Sequence, residues 1–166
     1  MMYYAGELVM YGVHGVCKVA EISHQTVSGQ TRAFYVLVPV HQDSTRFLIP
    51  CDNPLAVKKM RPLISKEELE SILQSTDMET AWIDDENTRK QVYRGILSGG
   101  NQGDILKLVI TLDNHRMQLA ESGKKFHLSD QTFLNEAKKI LDSEFSAVLE
   151  MDPNEVAHYV KSRMGK

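Results

Sequence analysis

The sequence predicts an α+β protein, in which a small N-terminal five-stranded barrel of the SH3 or Tudor type precedes a compact all-helical domain. Three observations predict it. Up to about Arg61 the chain alternates in short β-branched and aromatic runs, and after Ser65 its apolar residues recur at helical spacing. The charge changes at the same place: residues 1–62 carry six basic and four acidic side chains, for +2, whereas the remainder is at −5. The joint lies at Arg61-Pro62-Leu63-Ile64-Ser65, because Pro62 disfavours helical backbone at Arg61. The predicted domains are therefore 1–62 and 63–166.

In the first domain, strands are expected at about 7–12, 15–23, 32–40 and 45–50, with a short fifth near 55–60. Val16, Val19 and Ile22 break strict alternation with Lys18 and Glu21, which predicts a bulge. Phe34-Tyr35-Val36-Leu37-Val38 is apolar throughout and reads as a central strand. Ser28-Gly29-Gln30 marks a turn, and Gly12 and Gly15 bracket another at Val13-His14. Five short strands in about 60 residues close most simply into a barrel, which removes exposed edges.

The second domain begins with a capping box, Ser65 at the N-cap and Glu68 reaching back, followed by the apolar stripe Leu69, Ile72, Leu73. A helix over 84–97 turns Val92, Ile96 and Leu97 inward and stops at Gly99-Gly100. Asp104 caps a third, with Ile105, Leu108, Val109, Leu112 and Leu119 at helical spacing. Ser129 or Asp130 starts a fourth, with Phe133, Leu134, Ala137, Ile140, Leu141, Phe145 and Val148 inward. Asp152-Pro153-Asn154-Glu155 opens the last, with proline at its first position.

With 166 residues, 42% hydrophobic and 25% charged, the chain is long enough to bury a core and is neither disordered, collagen-like nor disulfide-framed. No apolar run approaches the ~18 residues of a membrane span, and Met1-Met2-Tyr3-Tyr4 does not open a signal peptide. A cytoplasmic protein with reduced Cys17 and Cys51 is expected, with no membrane partner. The net charge of −3 argues against a protein that coats nucleic acid by bulk charge.

No enzymatic chemistry is legible. His14 and Cys17 have no partner pair at metal-ligand spacing, so a turn histidine and a packed thiol are expected, with no metal and no cofactor. Ser98-Gly99-Gly100-Asn101-Gln102-Gly103 follows a helix rather than a strand, which makes it a helix stop rather than a phosphate loop. Asp84-Asp85-Glu86 suits the first turn of a helix. Trp82 stands out as the one tryptophan, placed after the mostly polar Thr76–Ala81. It reads either as a core anchor or staple at a helix start, or as an apolar wedge or stacking platform for a partner.

The segment Tyr4-Ala5-Gly6-Glu7-Leu8-Val9-Met10-Tyr11-Gly12-Val13-His14-Gly15-Val16 resembles the opening of the CarD/CdnL family of bacterial RNA polymerase-binding transcription regulators. Phe34-Tyr35-Val36-Leu37, Leu48-Ile49-Pro50, Arg61-Pro62-Leu63, Ser65, Trp82 and Glu136–Leu141 fall in the family's order. The resemblance spans essentially the whole chain, with Glu7, Gly12 and Cys17 standing where the family has Asp, Pro and Gly. It implies a non-enzymatic regulator whose Tudor-like barrel binds the RNA polymerase β subunit at its β1 lobe. The helical domain would then reach promoter DNA at the upstream edge of the bubble, where Trp82 wedges into the minor groove and stabilises the open complex.

The resemblance also implies site residues. The polymerase contacts fall on Leu48, on Arg46 two residues earlier, and on the strand-to-strand loop at His24 or Gln25. Basic residues that follow the tryptophan in some relatives are here Ile83-Asp84-Asp85-Glu86, so phosphate contact passes to Arg89, Lys90 and Arg94, or to Lys124 and Lys125. DNA binding without polymerase should then be weak, and the protein a monomer brought to the nucleoid by polymerase. The competing expectation is an interaction adaptor whose barrel binds a different partner and which has no DNA role.

Overall fold

The computed structural model describes residues 2–41, 45–74 and 81–164. Two units divide at Ile64/Ser65, two residues past the joint expected from Pro62.

The first unit is a five-stranded antiparallel sheet, as a Tudor-like domain requires: β1 (Leu8–Tyr11), β2 (Val16–Val27), β3 (Gln30–Pro39), β4 (Phe47–Pro50) and β5 (Met60–Pro62), in the order β4-β3-β2-β1-β5. Ser28 and Gly29 both take positive φ, +52° and +77°, which lets a two-residue turn join Val27 to its partner Gln30. The turn extends β2 beyond its expected end at Ser23. The register slips between Val19 and Glu21, which is the bulge that the broken alternation anticipates. Gly12–His14 forms a 3₁₀ turn, with positive φ at Gly12 and at Gly15.

The expected fifth strand at 55–60 is corrected. Asn53 instead caps a helical turn, α1 (Pro54–Val57), accepting hydrogen bonds from the amides of Leu55 and Ala56, with Pro54 at the first position. The strand follows at Met60–Pro62 and pairs with β1. Tyr3, Val9, Cys17, Val19, Tyr35, Leu37, Ile49 and Met60 fill the core on one face of the sheet. Burial pushes the Cys17 thiol up to about 11, so it is a packed, inert cysteine rather than a nucleophile.

The second unit holds α2 (Lys66–Gln74), α3 (Glu86–Gly99), α4 (Gln102–Glu121), α5 (Leu128–Leu149) and α6 (Pro153–Met164). The capping box forms reciprocally: Glu68 N–H donates to Ser65 Oγ at 3.0 Å, and Ser65 N–H to Glu68 Oε1 at 3.2 Å. Gly100 ends α3 in the left-handed region at φ +71°. The third cap is Asn101, which accepts from the Asp104 amide, so Asp104 lies inside the first turn rather than before it. Asp130 likewise lies within α5, which starts at Leu128 after His127. In α3 the inward residues are Arg89, Tyr93 and Leu97, spaced four apart, so Leu97 is inward as expected, whereas Val92 falls off that face and is 40% exposed; the Tyr93 ring packs edge-on to Phe133 of α5. No helix of the described residues is long and apolar enough to cross a membrane.

Candidate functional site

The strand register sorts the sheet's side chains. Tyr35, Leu37 and Ile49 point into the core, so their neighbours on β3 and β4 face the other way. Gln25 lies opposite Arg32, and Leu48 opposite Val36. Arg32 and Val36 are an even number of residues apart on β3, which brings Gln25 and Leu48 to one face. Leu48 is 50% exposed, and Gln25 and Arg46 are exposed as well. Arg46 directly precedes β4 rather than lying within it. On the same face Arg32 holds Asp52 through Nε and Nη2, at 3.4 and 2.8 Å, and lies 5.7 Å from the Phe34 ring centroid.

In the helical unit, the segment before α3 is shaped by its cap. Asp85 accepts from the amide and hydroxyl of Thr88 at 2.9 and 2.6 Å, which holds its carboxyl below the usual carboxylate range. Trp82 lies three residues before this cap, in the irregular segment that leads into α3. Trp82 is half-buried, neither fully cored nor fully presented. Its ring stacks on His115 of α4, centroids 3.5 Å apart and planes 11° from parallel, and the Arg89 guanidinium lies 4.8 Å from its centroid.

Arg89 corrects an expectation. It is buried, and so it is not presented to a phosphate. Nε and Nη2 donate to the two carboxylate oxygens of Asp130 at 2.9 and 3.1 Å, while Nη1 donates to the carbonyls of Ile83 and Asp84 at 3.0 and 3.3 Å. One guanidinium thus ties α3 to α5 and to the backbone that follows Trp82, using its rigid fork of donors. Lys90 is drawn into a helical pair with Glu86 at 2.9 Å, which in turn lowers the Glu86 carboxyl. Arg94 is exposed one turn further along α3.

Trp82, His115, Lys124 and Lys125 line one open pocket of about 280 Å³, together with the Arg89–Asp130 pair. Lys124 and Lys125 are exposed in the α4–α5 connection. Asp84 and Glu86 are also in the wall, so its charge is mixed. The pocket therefore combines an indole ring with two exposed lysines and a set of carboxylates. Of the phosphate candidates it gathers Lys124 and Lys125, and it leaves out Lys90 and Arg94. Among the described residues no cluster of three metal-ligating side chains occurs.

His115 and Asp130 had no signal in the sequence as site residues. His115 sits in an ordinary polar stretch of α4, and Asp130 reads as a helix-start acid; only the tertiary packing brings both to Trp82.

Residues 3–64 match the CarD-like/TRCF RID domain model. The N-terminal unit is a CarD-like RID domain. The match covers this unit almost end to end, and the helical unit lies outside it. CarD-like RID domains are non-catalytic protein-interaction domains, so the match supports an RNA polymerase-interacting, transcription-related protein, with the polymerase β subunit as the partner the RID domain implies. Comparison with curated proteins gave no match.

Proposed function

We propose that this protein stabilises the open promoter complex, holding the polymerase β subunit with its RID domain and contacting the upstream edge of the bubble with Trp82. The observation that carries the reading is the half-buried indole, braced by His115 and Arg89 beside exposed Lys124 and Lys125. An apolar edge inserted at a base step costs least where pairs are already opening, so a fixed wedge selects the fork over intact duplex. Lys124 and Lys125 supply the phosphate contacts, with Arg94 as a further candidate. The mixed charge of the pocket keeps free DNA affinity low, and attachment to polymerase makes up for it through effective concentration. On the RID domain, Gln25, Arg46 and Leu48 form the polymerase-facing set, one apolar side chain flanked by polar ones. No catalytic step is needed, and the protein works as a monomer in the cytoplasm.

The test is a photocrosslinking amino acid at position 82 in complexes of polymerase on promoter DNA. Crosslinks to the upstream edge of the bubble are expected. Crosslinks confined to protein would overturn the DNA role and favour an adaptor that works through the barrel alone.

A further inference from the structure

We propose that His115 is the positioning residue for Trp82: its ring backs the indole and fixes the orientation in which Trp82 meets DNA, an inference that rests on the function proposed above. Trp82 lies outside the helices, in the residues that lead into α3, where no backbone ladder restrains it. Arg89 ties down the carbonyls of Ile83 and Asp84, which sets the backbone but leaves the side chain its two torsions. The ring itself is held by the Arg89 guanidinium, 4.8 Å from its centroid, and more closely by the near-parallel stack on His115 at 3.5 Å. His115 is itself anchored in the middle of α4, and Phe126 lies against it at 6.4 Å. A ring held by these two contacts still lines the pocket that Lys124 and Lys125 share. An imidazole suits the task because it is flat, small and carried on a stiff helix. A wedge set in place before DNA arrives loses less rotamer freedom on contact.

The charges around the stack are mixed. Arg89 from α3 disfavours protonation of His115, while Asp84 before α3 and Asp130 from α5 favour it, and His127 lines the same pocket. Burial outweighs these and holds the imidazole neutral to lower pH than usual, which keeps the stack between two uncharged rings near neutrality.

Trp82 is the chain's one tryptophan, so its emission reports this site alone. The experiment compares acrylamide quenching and fluorescence anisotropy of the full chain for wild type, H115A and H115F. Loss of the stacked partner in H115A is expected to raise the unstacked population of the indole roughly 2- to 10-fold. Quenching should rise and anisotropy fall, with far-UV circular dichroism unchanged, and H115F should restore both. As a spectroscopic signature, lowering the pH should dim Trp82 emission in wild type and in H127Q, because an imidazolium quenches a stacked indole, but not in H115F. Unchanged quenching and anisotropy in H115A would overturn the proposal, as would release of the indole in H115F. The same variants in an open-complex lifetime assay separate the two readings. If W82A leaves the lifetime unchanged while H115A frees the ring, the DNA role fails and the positioning stands.

Discussion

Each unit contains an arginine gripped by both oxygens of an aspartate, and the two pairs do different things. In the RID domain Arg32 and Asp52 are 40% and 64% exposed; in the helical unit Arg89 and Asp130 are 5% and 3% exposed. Water and salt screen the first pair, and it leaves the sheet's outer face free to change partners. The second has lost its water, so its remaining donors must be satisfied by protein, and the carbonyls of Ile83 and Asp84 do this. The same two residue types thus make a soft, exposed surface in one unit and a rigid mount in the other. On the function proposed above, a surface for a large protein partner tolerates the first, whereas a single ring offered to a fork needs the second.

Breaking the mount should have the largest effect. Asp130→Ala strands a buried guanidinium and should cost the helical unit about 3–5 kcal/mol, read as a drop in its urea midpoint. Asp52→Ala at the exposed pair should leave the midpoint of the RID domain nearly unchanged. Equal losses in the two units would remove the contrast. Next in size, Leu48→Glu should weaken binding to the polymerase β subunit by about 1–2 kcal/mol, measured by titration, because it places a charge in an apolar contact; stability should not move, since Leu48 is outside the core. Binding that survives this change would put the interface elsewhere on the domain.

Acid should sharpen the comparison by a smaller amount. Burial lowers the His115 imidazole below its ordinary 6.5, so as pH falls the unfolded chain takes up that proton first. The contribution of His115 to the helical unit is therefore complete above pH 6.5 and declines below it, until the folded unit is protonated as well. Asp52 loses its contribution in the same direction but for a different reason and at lower pH: its hydrogen bond to Arg32 favours the charged carboxylate and lowers it below 3.8, so the contribution is complete above that value and declines only below it. Unfolding midpoints followed from pH 8 to 3 should show the helical unit responding first, and H115F should flatten that early limb.

How much of this the sequence carries depends on how far apart the interacting residues are. The capping box at Ser65 and Glu68, the Ser28-Gly29 turn and the bulge after Val19 are local, so they are legible in a few residues. The helical turn at Pro54–Val57 was legible too, in the Asn53-Pro54 pair, but apolar character in 55–60 reads equally as a strand. The site was half visible. Trp82 is conspicuous by type, and Lys124 and Lys125 by charge. Arg89 looks like any basic residue on a helix face, and its partner Asp130 is 41 residues away, so nothing local tells that it is buried. The stack of Trp82 on His115 depends in the same way on how α3, α4 and α5 pack.

The central claim is that polymerase attachment and fork contact reside in separate units. Trp82→Ala tests it most directly, with affinity for polymerase and open-complex lifetime measured on the same preparation. The account predicts unchanged affinity and a lifetime shortened by roughly 10-fold, in line with the loss of one base contact to an aromatic ring. A lifetime equal to that of wild type, or a parallel loss of affinity and lifetime, would contradict it.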